Sequence, residues 1–204
     1  MILPLLACLG GCAVHFVKNH DSDAKKTRVA LDIEQSGKPL GTIVLELEMD
    51  KTPITAKNFI AYCESGYYDN TLIHRVTVGP RIHVFQGGGY TELNGREKPG
   101  RLPNIKNEAD RGLPNERGTI SMARDAAPDT ANSEFFVNIQ DNSRLNYTGS
   151  DHWGYCAFGR VVSGMDIVDR IAKIETRTNP DPELKGEKSQ PIDPPIVRRA
   201  RVMR

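Results

Sequence analysis

The sequence predicts a mainly β fold, a barrel of short strands capped by two helices. Three observations carry this. Apolar residues alternate with polar ones in a pair of runs just after residue 28. The middle of the chain, Tyr68 to Arg160, is a series of brief apolar runs broken by Gly, Pro and Asn. Only two stretches repeat apolar residues at helical spacing. Many short strands with two helices suggest a barrel with helical caps.

Taken in order, Met1 to Val14 is apolar and rich in small residues, and mostly polar sequence follows from His15 to Arg28. A run of about 14 residues is too short to span a bilayer but suits the apolar core of a signal peptide. No Lys or Arg precedes it, which departs from the usual leader. Leu9-Gly10-Gly11-Cys12 resembles the bacterial lipobox, whose cysteine is lipidated and becomes the mature N-terminus. Leu5-Leu6-Ala7-Cys8 fits the same loose pattern. The expected organisation is a signal peptide with lipobox over residues 1–12, a polar tether over 13–27 and one folded domain over 28–204, with Cys12 as the lipidation site.

In the domain, Val29, Leu31 and Ile33 alternate, Ser36-Gly37-Lys38-Pro39 is a turn, and Ile43, Leu45, Leu47 and Met49 alternate again: a hairpin. Thr52 is an expected N-cap with Pro53 at the first helical position. Ala56, Phe59, Ile60 and Cys63 form one apolar stripe, and Gly66 suits the stop. A second helix is expected from Met165 to Ile174, starting near Ser163 or Gly164, with Val168, Ile171 and Ala172 on one face. Asn179 to Pro195 reads as a loop and Ile196 to Val202 as a last strand.

Composition narrows the function. Hydrophobic residues make up 38% and charged residues 26% of 204, enough for a packed core and against global disorder. A net charge of +1 argues against nucleic-acid binding by phosphate neutralisation. His74, His83 and His152 have no standard ligand spacing, so no metal is expected. Gly87-Gly88-Gly89 lacks the Gly-Lys-Ser/Thr ending of a phosphate loop, and Ser133 lies in no nucleophile elbow. Cys63 and Cys156 sit within apolar patterns and read as two buried thiols, although an oxidising compartment would permit a disulfide.

Three stretches remain. They are Leu72-Ile73-His74-Arg75-Val76 with Phe85-Gln86-Gly87-Gly88-Gly89; Ile105-Lys106-Asn107-Glu108-Ala109 with Arg117 through Arg124; and Ser133 through Asn138 with Gly154 through Val161. In these the sequence resembles the cyclophilin family, particularly its bacterial envelope members, over about Val29 to Val202. The resemblance implies an eight-stranded antiparallel barrel capped by two helices, and peptidyl-prolyl cis/trans isomerisation without a cofactor. It implies proline-containing polypeptides as partners. The expected form is a monomer, tethered to the envelope on its periplasmic side by the lipid, with a soluble periplasmic protein as the alternative.

By the same resemblance Arg75 matches the catalytic arginine, and Gln86 the glutamine that orients the substrate backbone. Phe136 and Leu145 match pocket walls, Tyr155 a polar aromatic position, and Ala123 and Arg124 the strand along which the peptide lies. A fixed guanidinium suits the reaction, because the twisted amide regains a lone pair on the prolyl nitrogen that a charged donor can stabilise. The chain departs from the pattern in three extra residues between Arg75 and Gln86, expected to loop out at Val78-Gly79-Pro80. Counting back from Gln86 puts His83 at a pocket phenylalanine and Val84 beside it, with Phe85 as a substitute wall if the backbone bulges. Either that loop-out is harmless, or the result is a more polar pocket with reduced activity, or a module that binds proline peptides without turning them over. Glu134 replaces a usual glutamine. Arg144 replaces an aromatic important to the family's cyclosporin binding.

Overall fold

The computed structural model describes residues 26–79, 82–184 and 186–203. The leader, Cys8, Cys12 and the tether up to residue 25 lie outside the described residues. The last two tether residues contact the barrel. Thr27 O accepts from Leu47 N–H at 2.9 Å, and Lys26 Nζ lies 2.9 Å from Glu46 Oε1.

Strands β1 (Arg28–Gln35) and β2 (Lys38–Leu47) form the predicted hairpin. Its two-residue turn, Ser36-Gly37, has positive φ at both positions, the twist that matches right-handed strands. Val29, Leu31, Ile43 and Leu45 fill the interior. The second run stops at Leu47, two residues short of the expected Met49.

Helix α1 (Pro53–Glu64) buries Ala56, Phe59 and Cys63. Its expected cap fails. Thr52 makes no side-chain cap bond; its hydroxyl donates backward to Glu48 O at 2.8 Å. The carboxylate of Glu108, 53 residues away, does the work instead, accepting from Thr55 N at 2.8 Å and from Thr55 Oγ1 at 2.9 Å. A negative group at a helix N-terminus satisfies an orphan N–H and complements the helix dipole.

The remaining strands are β3 (Thr71–Val76), β4 (Val84–Gly87), β5 (Thr119–Met122), β6 (Phe135–Asn138) and β7 (Ala157–Ser163). Helix α2 (Met165–Ile171) follows, then β8 (Thr176–Thr178), β9 (Lys188–Pro191) and β10 (Ile196–Met203). Eight of them close an antiparallel barrel in the order β1-β10-β3-β4-β6-β5-β7-β2. The fold is the eight-stranded antiparallel barrel with two helical caps that the sequence predicts.

Helix α2 ends three residues before the expected Ile174. Its last turn tightens to bonds from Lys173 N to Arg170 O and from Ile174 N to Ile171 O. Gly164 precedes it at φ +89°, where a Cβ would sit 2.5 Å from Thr42 O. The expected 179–195 loop contains β9, which pairs with β8 in a separate two-stranded sheet. Two strands of three and four residues without apolar alternation leave no periodic signal.

The core is aromatic at its centre. Phe59 packs against Tyr68, Phe135 and Phe158, with ring centroids 5.0–5.6 Å apart. Cys63 and Cys156 are buried free thiols. Burial pushes the Cys156 thiol up to about 12, and that of Cys63 further. No helix among the described residues is long and apolar enough to cross a membrane.

Candidate active site

Strict alternation along β3 would point Arg75 into the barrel with Ile73. A bulge prevents this. Ile73 pairs with Gly87 and Arg75 with Gln86, so His74 is the extra residue. The bulge resets the phase, and Arg75 emerges beside Gln86 while Val76 and Phe85 face the core.

The guanidinium is held from two sides. Nε donates to Glu187 Oε1 at 2.9 Å and Nη2 to Glu187 Oε2 at 3.1 Å; Nη1 donates to Gln86 Oε1 at 3.0 Å. The Gln86 amide is oriented in turn, since its Nε2 donates to Glu134 Oε2 at 2.8 Å. His74 Nε2 lies 3.4 Å from the same oxygen, and its ring stands edge-on to Tyr90. Burial alone would raise the Glu134 carboxyl, but hydrogen bonds from His74 and Gln86 hold it below its ordinary value. Glu187 is likewise pulled down against its burial, here by Arg75 and Ser189.

Beside this polar row lies an apolar patch separate from the main core: Val84, Phe136 and Leu145, with Ile82, Ala123 and Tyr155 packed against it. Phe135 and Phe136 divide by alternation, one in the core and one in the patch. The Tyr155 ring meets Phe136 edge-on at 5.6 Å, and the Arg124 guanidinium lies 4.6 Å over Tyr155. Arg124 also donates to Gly154 O, Asp125 O and Ala126 O, so its head is spent on fixing the rim. The strand expected through Ala123 and Arg124 ends at Met122, with one further bond from Ala123 N to Glu134 O.

His83 is not in this patch. Val84 and Gln86 share a face, and Ile82 is the residue of matching parity; His83 and Phe85 fall on the other side. Phe85 is core, so it substitutes for nothing in the pocket. Ile82, not His83, packs beside Val84 in the apolar patch, while the cavity around it also carries Arg75, Gln86 and Glu134. The hairpin closes at Thr77 and Val84, where Thr77 N–H donates to Val84 O at 2.9 Å and Val84 N–H to Thr77 Oγ1 at 3.0 Å. The extra residues lie beyond that rung, where Val78 is exposed. Residues 80–81 of the expected loop-out lie outside the described residues.

Beneath the patch runs a buried amide network that periodicity does not reveal. Asn115 Nδ2 donates to Leu145 O and Tyr155 O, and its Oδ1 accepts from Ser121 and Asn138. Buried polar groups must be satisfied, and here the satisfaction fixes the backbone of two pocket walls.

These parts line one cavity of about 620 Å³ that contains Arg75, Gln86, Ile82, Val84, Ala123, Arg124, Phe136, Leu145 and Tyr155. Its far wall comes from the 92–97 segment and from the loop before β9, and carries Glu92, Glu97, Asp181 and Glu183. Among the described residues no three His, Cys, Asp or Glu side chains are grouped to hold a metal ion. An apolar seat beside a fixed cation, open to solvent and edged by main chain, can hold a small apolar ring and donate to an amide next to it.

The family described as "Cyclophilin type peptidyl-prolyl cis-trans isomerase/CLD" matches residues 30–201. Peptidyl-prolyl cis-trans isomerase B of Escherichia coli (strain K12) is 48% identical over 138 residues, covering 67% of this chain and 81% of that one. A peptidyl-prolyl cis-trans isomerase of Acinetobacter baylyi is 49% identical over 139 residues, 68% of this chain and 71% of its own. Peptidyl-prolyl cis-trans isomerase cyp18 of Streptomyces antibioticus is 39% identical over 165 residues, 80% and 93%.

Proposed function

The chain belongs to the cyclophilin-type peptidyl-prolyl cis-trans isomerases, and from that premise we propose that Arg75 is its catalytic residue, working on proline-containing polypeptides that fold at the bacterial envelope. The observation that carries the site assignment is the adjacency of a two-sided arginine clamp and an apolar seat in one cavity.

The barrier to X–Pro rotation is about 18–20 kcal/mol, and unaided exchange takes tens of seconds or more. Going from roughly 10⁻² to 10³ s⁻¹ requires about 7 kcal/mol of barrier lowering. The proline ring sits on Phe136, Val84, Ile82 and Leu145. Tyr155 closes one side, Ala123 and Arg124 edge the peptide, and Gln86 aligns the backbone. As the amide twists, the prolyl nitrogen pyramidalises and gains a lone pair. Free N–H groups of Arg75 then bond more strongly than in the planar state, which lowers the barrier rather than merely tightening binding.

The envelope location rests on the apolar run and lipobox-like Leu9-Gly10-Gly11-Cys12, by which the mature protein is tethered through Cys12. A single acyl chain binds membranes weakly, so a firm tether requires more than one. Labelled palmitate incorporation that persists in Cys12→Ala refutes that anchor.

The test of the enzyme is cis-to-trans exchange of an Ala-Pro-Phe peptide by NMR, with the full chain and its Arg75→Ala variant. Acceleration lost in the variant supports the assignment. Binding without acceleration in the unaltered protein leaves a proline-binding module.

A further inference from the structure

We propose that Glu187 is the positioning residue for Arg75, setting which N–H groups of the guanidinium face the substrate. This rests on Arg75 being the reacting cation.

The carboxylate engages the guanidinium side-on, through Nε at 2.9 Å and Nη2 at 3.1 Å. Gln86 takes one hydrogen of Nη1. A guanidinium has five N–H groups; three are used, which leaves two, one on Nη1 and one on Nη2. That pair is the donor set available to a twisted amide and the carbonyl before it. Without the side-on partner, the stem turns freely and no particular pair is presented.

Glu187 holds the arginine from outside. Arg75 and Gln86 line the cavity, whereas Glu187 is absent from its wall. A carboxylate that competed with substrate would have to stand inside. Its backbone is also anchored: Glu187 O accepts from Asn179 N at 2.8 Å and Ser189 N at 3.1 Å, and its N–H donates to Leu184 O at 2.9 Å. The loop that delivers it contributes Asn179, Asp181, Glu183 and Leu184 to the cavity wall. One segment therefore both borders the substrate and orients the cation.

The experiment measures kcat and KM for an Ala-Pro-Phe peptide with the full chain, Glu187→Ala, Glu187→Gln, Arg75→Ala and the Arg75→Ala/Glu187→Ala double variant, alongside thermal unfolding. Misplacing a reacting group by about 1 Å can cost about a hundredfold, so Glu187→Ala is expected to lower kcat at least about tenfold with KM nearly unchanged. Glu187→Gln, which keeps one acceptor and the shape, is expected to fall between, and it carries the test if Glu187→Ala does not fold. In the Arg75→Ala background the second change should add nothing. Unchanged or raised kcat in Glu187→Gln overturns the proposal, as does a double variant that loses clearly more activity than Arg75→Ala alone. If Arg75→Ala itself retains full activity, the reading of the site fails before this inference is reached.

Discussion

Asn142 grips the backbone of His83 with both ends of its carboxamide. Oδ1 accepts from His83 N–H at 3.1 Å, and Nδ2 donates to His83 O at 3.1 Å and to Asn138 Oδ1 at 2.8 Å. The segment that enters the pocket after the extra residues is thereby pinned just where Ile82 and Val84 need to be. Asn142→Ala leaves His83 N–H and Asn138 Oδ1 without their partner, while His83 O keeps the Ile139 N–H at 2.9 Å. We expect a loss of about 1–3 kcal/mol in urea unfolding, together with a higher KM as the apolar wall loosens. A variant as stable as the parent contradicts this.

His83 itself faces away from the cavity, its Nε2 is buried without a partner among the described residues, and burial, aided by Arg117, lowers its pKa. His83→Phe is expected to leave KM within about twofold, because it does not touch the proline seat. Ile82→Ser removes apolar surface from the seat and should raise KM about fivefold or more. Peptide titration by NMR on both variants separates the two positions; a response at 83 and none at 82 reverses the assignment.

Glu134 and Glu187 both have depressed carboxyl pKa values in the folded protein. The stability they supply is fully present above the ordinary glutamate value of 4.5 and is lost as pH falls through their folded values. The melting temperature should therefore drop below pH 4.5, and the drop should be shallower in Glu134→Gln. Equal slopes would show that the His74 and Gln86 contacts do not favour the ionised form.

Glu108 is almost wholly buried and serves the α1 N-terminus through Thr55 while contacting Arg111 at 2.6 Å. Glu108→Ala orphans the Thr55 N–H and leaves the Thr55 hydroxyl only the Cys156 sulfur at 3.5 Å. The expected cost is about 2–3 kcal/mol in equilibrium unfolding. A change under about 0.5 kcal/mol refutes the role.

The two core thiols are buried and have raised pKa values. Neither Cys63 nor Cys156 should react with Ellman's reagent at pH 8 until the protein unfolds, when both should. Fast labelling in the native state would place one of them at the surface.

The hairpin, both helices and the division of Phe135 from Phe136 are legible in the sequence because each follows a period of two or about 3.6. The site is legible as a set of motifs, but its geometry is not. The bulge at His74 carries no compositional mark, yet it decides which way Arg75 points. Counting back through an insertion placed His83 in the pocket; the phase is set by Gln86 and Val84, which selects Ile82. Asn115 and Asn142 sit in segments without regular structure, where polar residues ordinarily read as solvated. Glu187 lies 112 residues from Arg75, and only the closed barrel and its small second sheet bring the two together.

That closure has a consequence for biosynthesis. Strand β1 completes its pairing only with β10, with Arg28 opposite Met203, so one flank of the earliest strand stays open until everything else in the barrel has been made. A nascent chain halted before β10 would expose that flank to any passing strand, and one halted before Glu187 would also lack the carboxylate behind Arg75. The protein, a member of a family that hastens a slow step in the folding of others, cannot assemble its own active centre piecemeal; it should emerge from synthesis inert and become competent in a single late event.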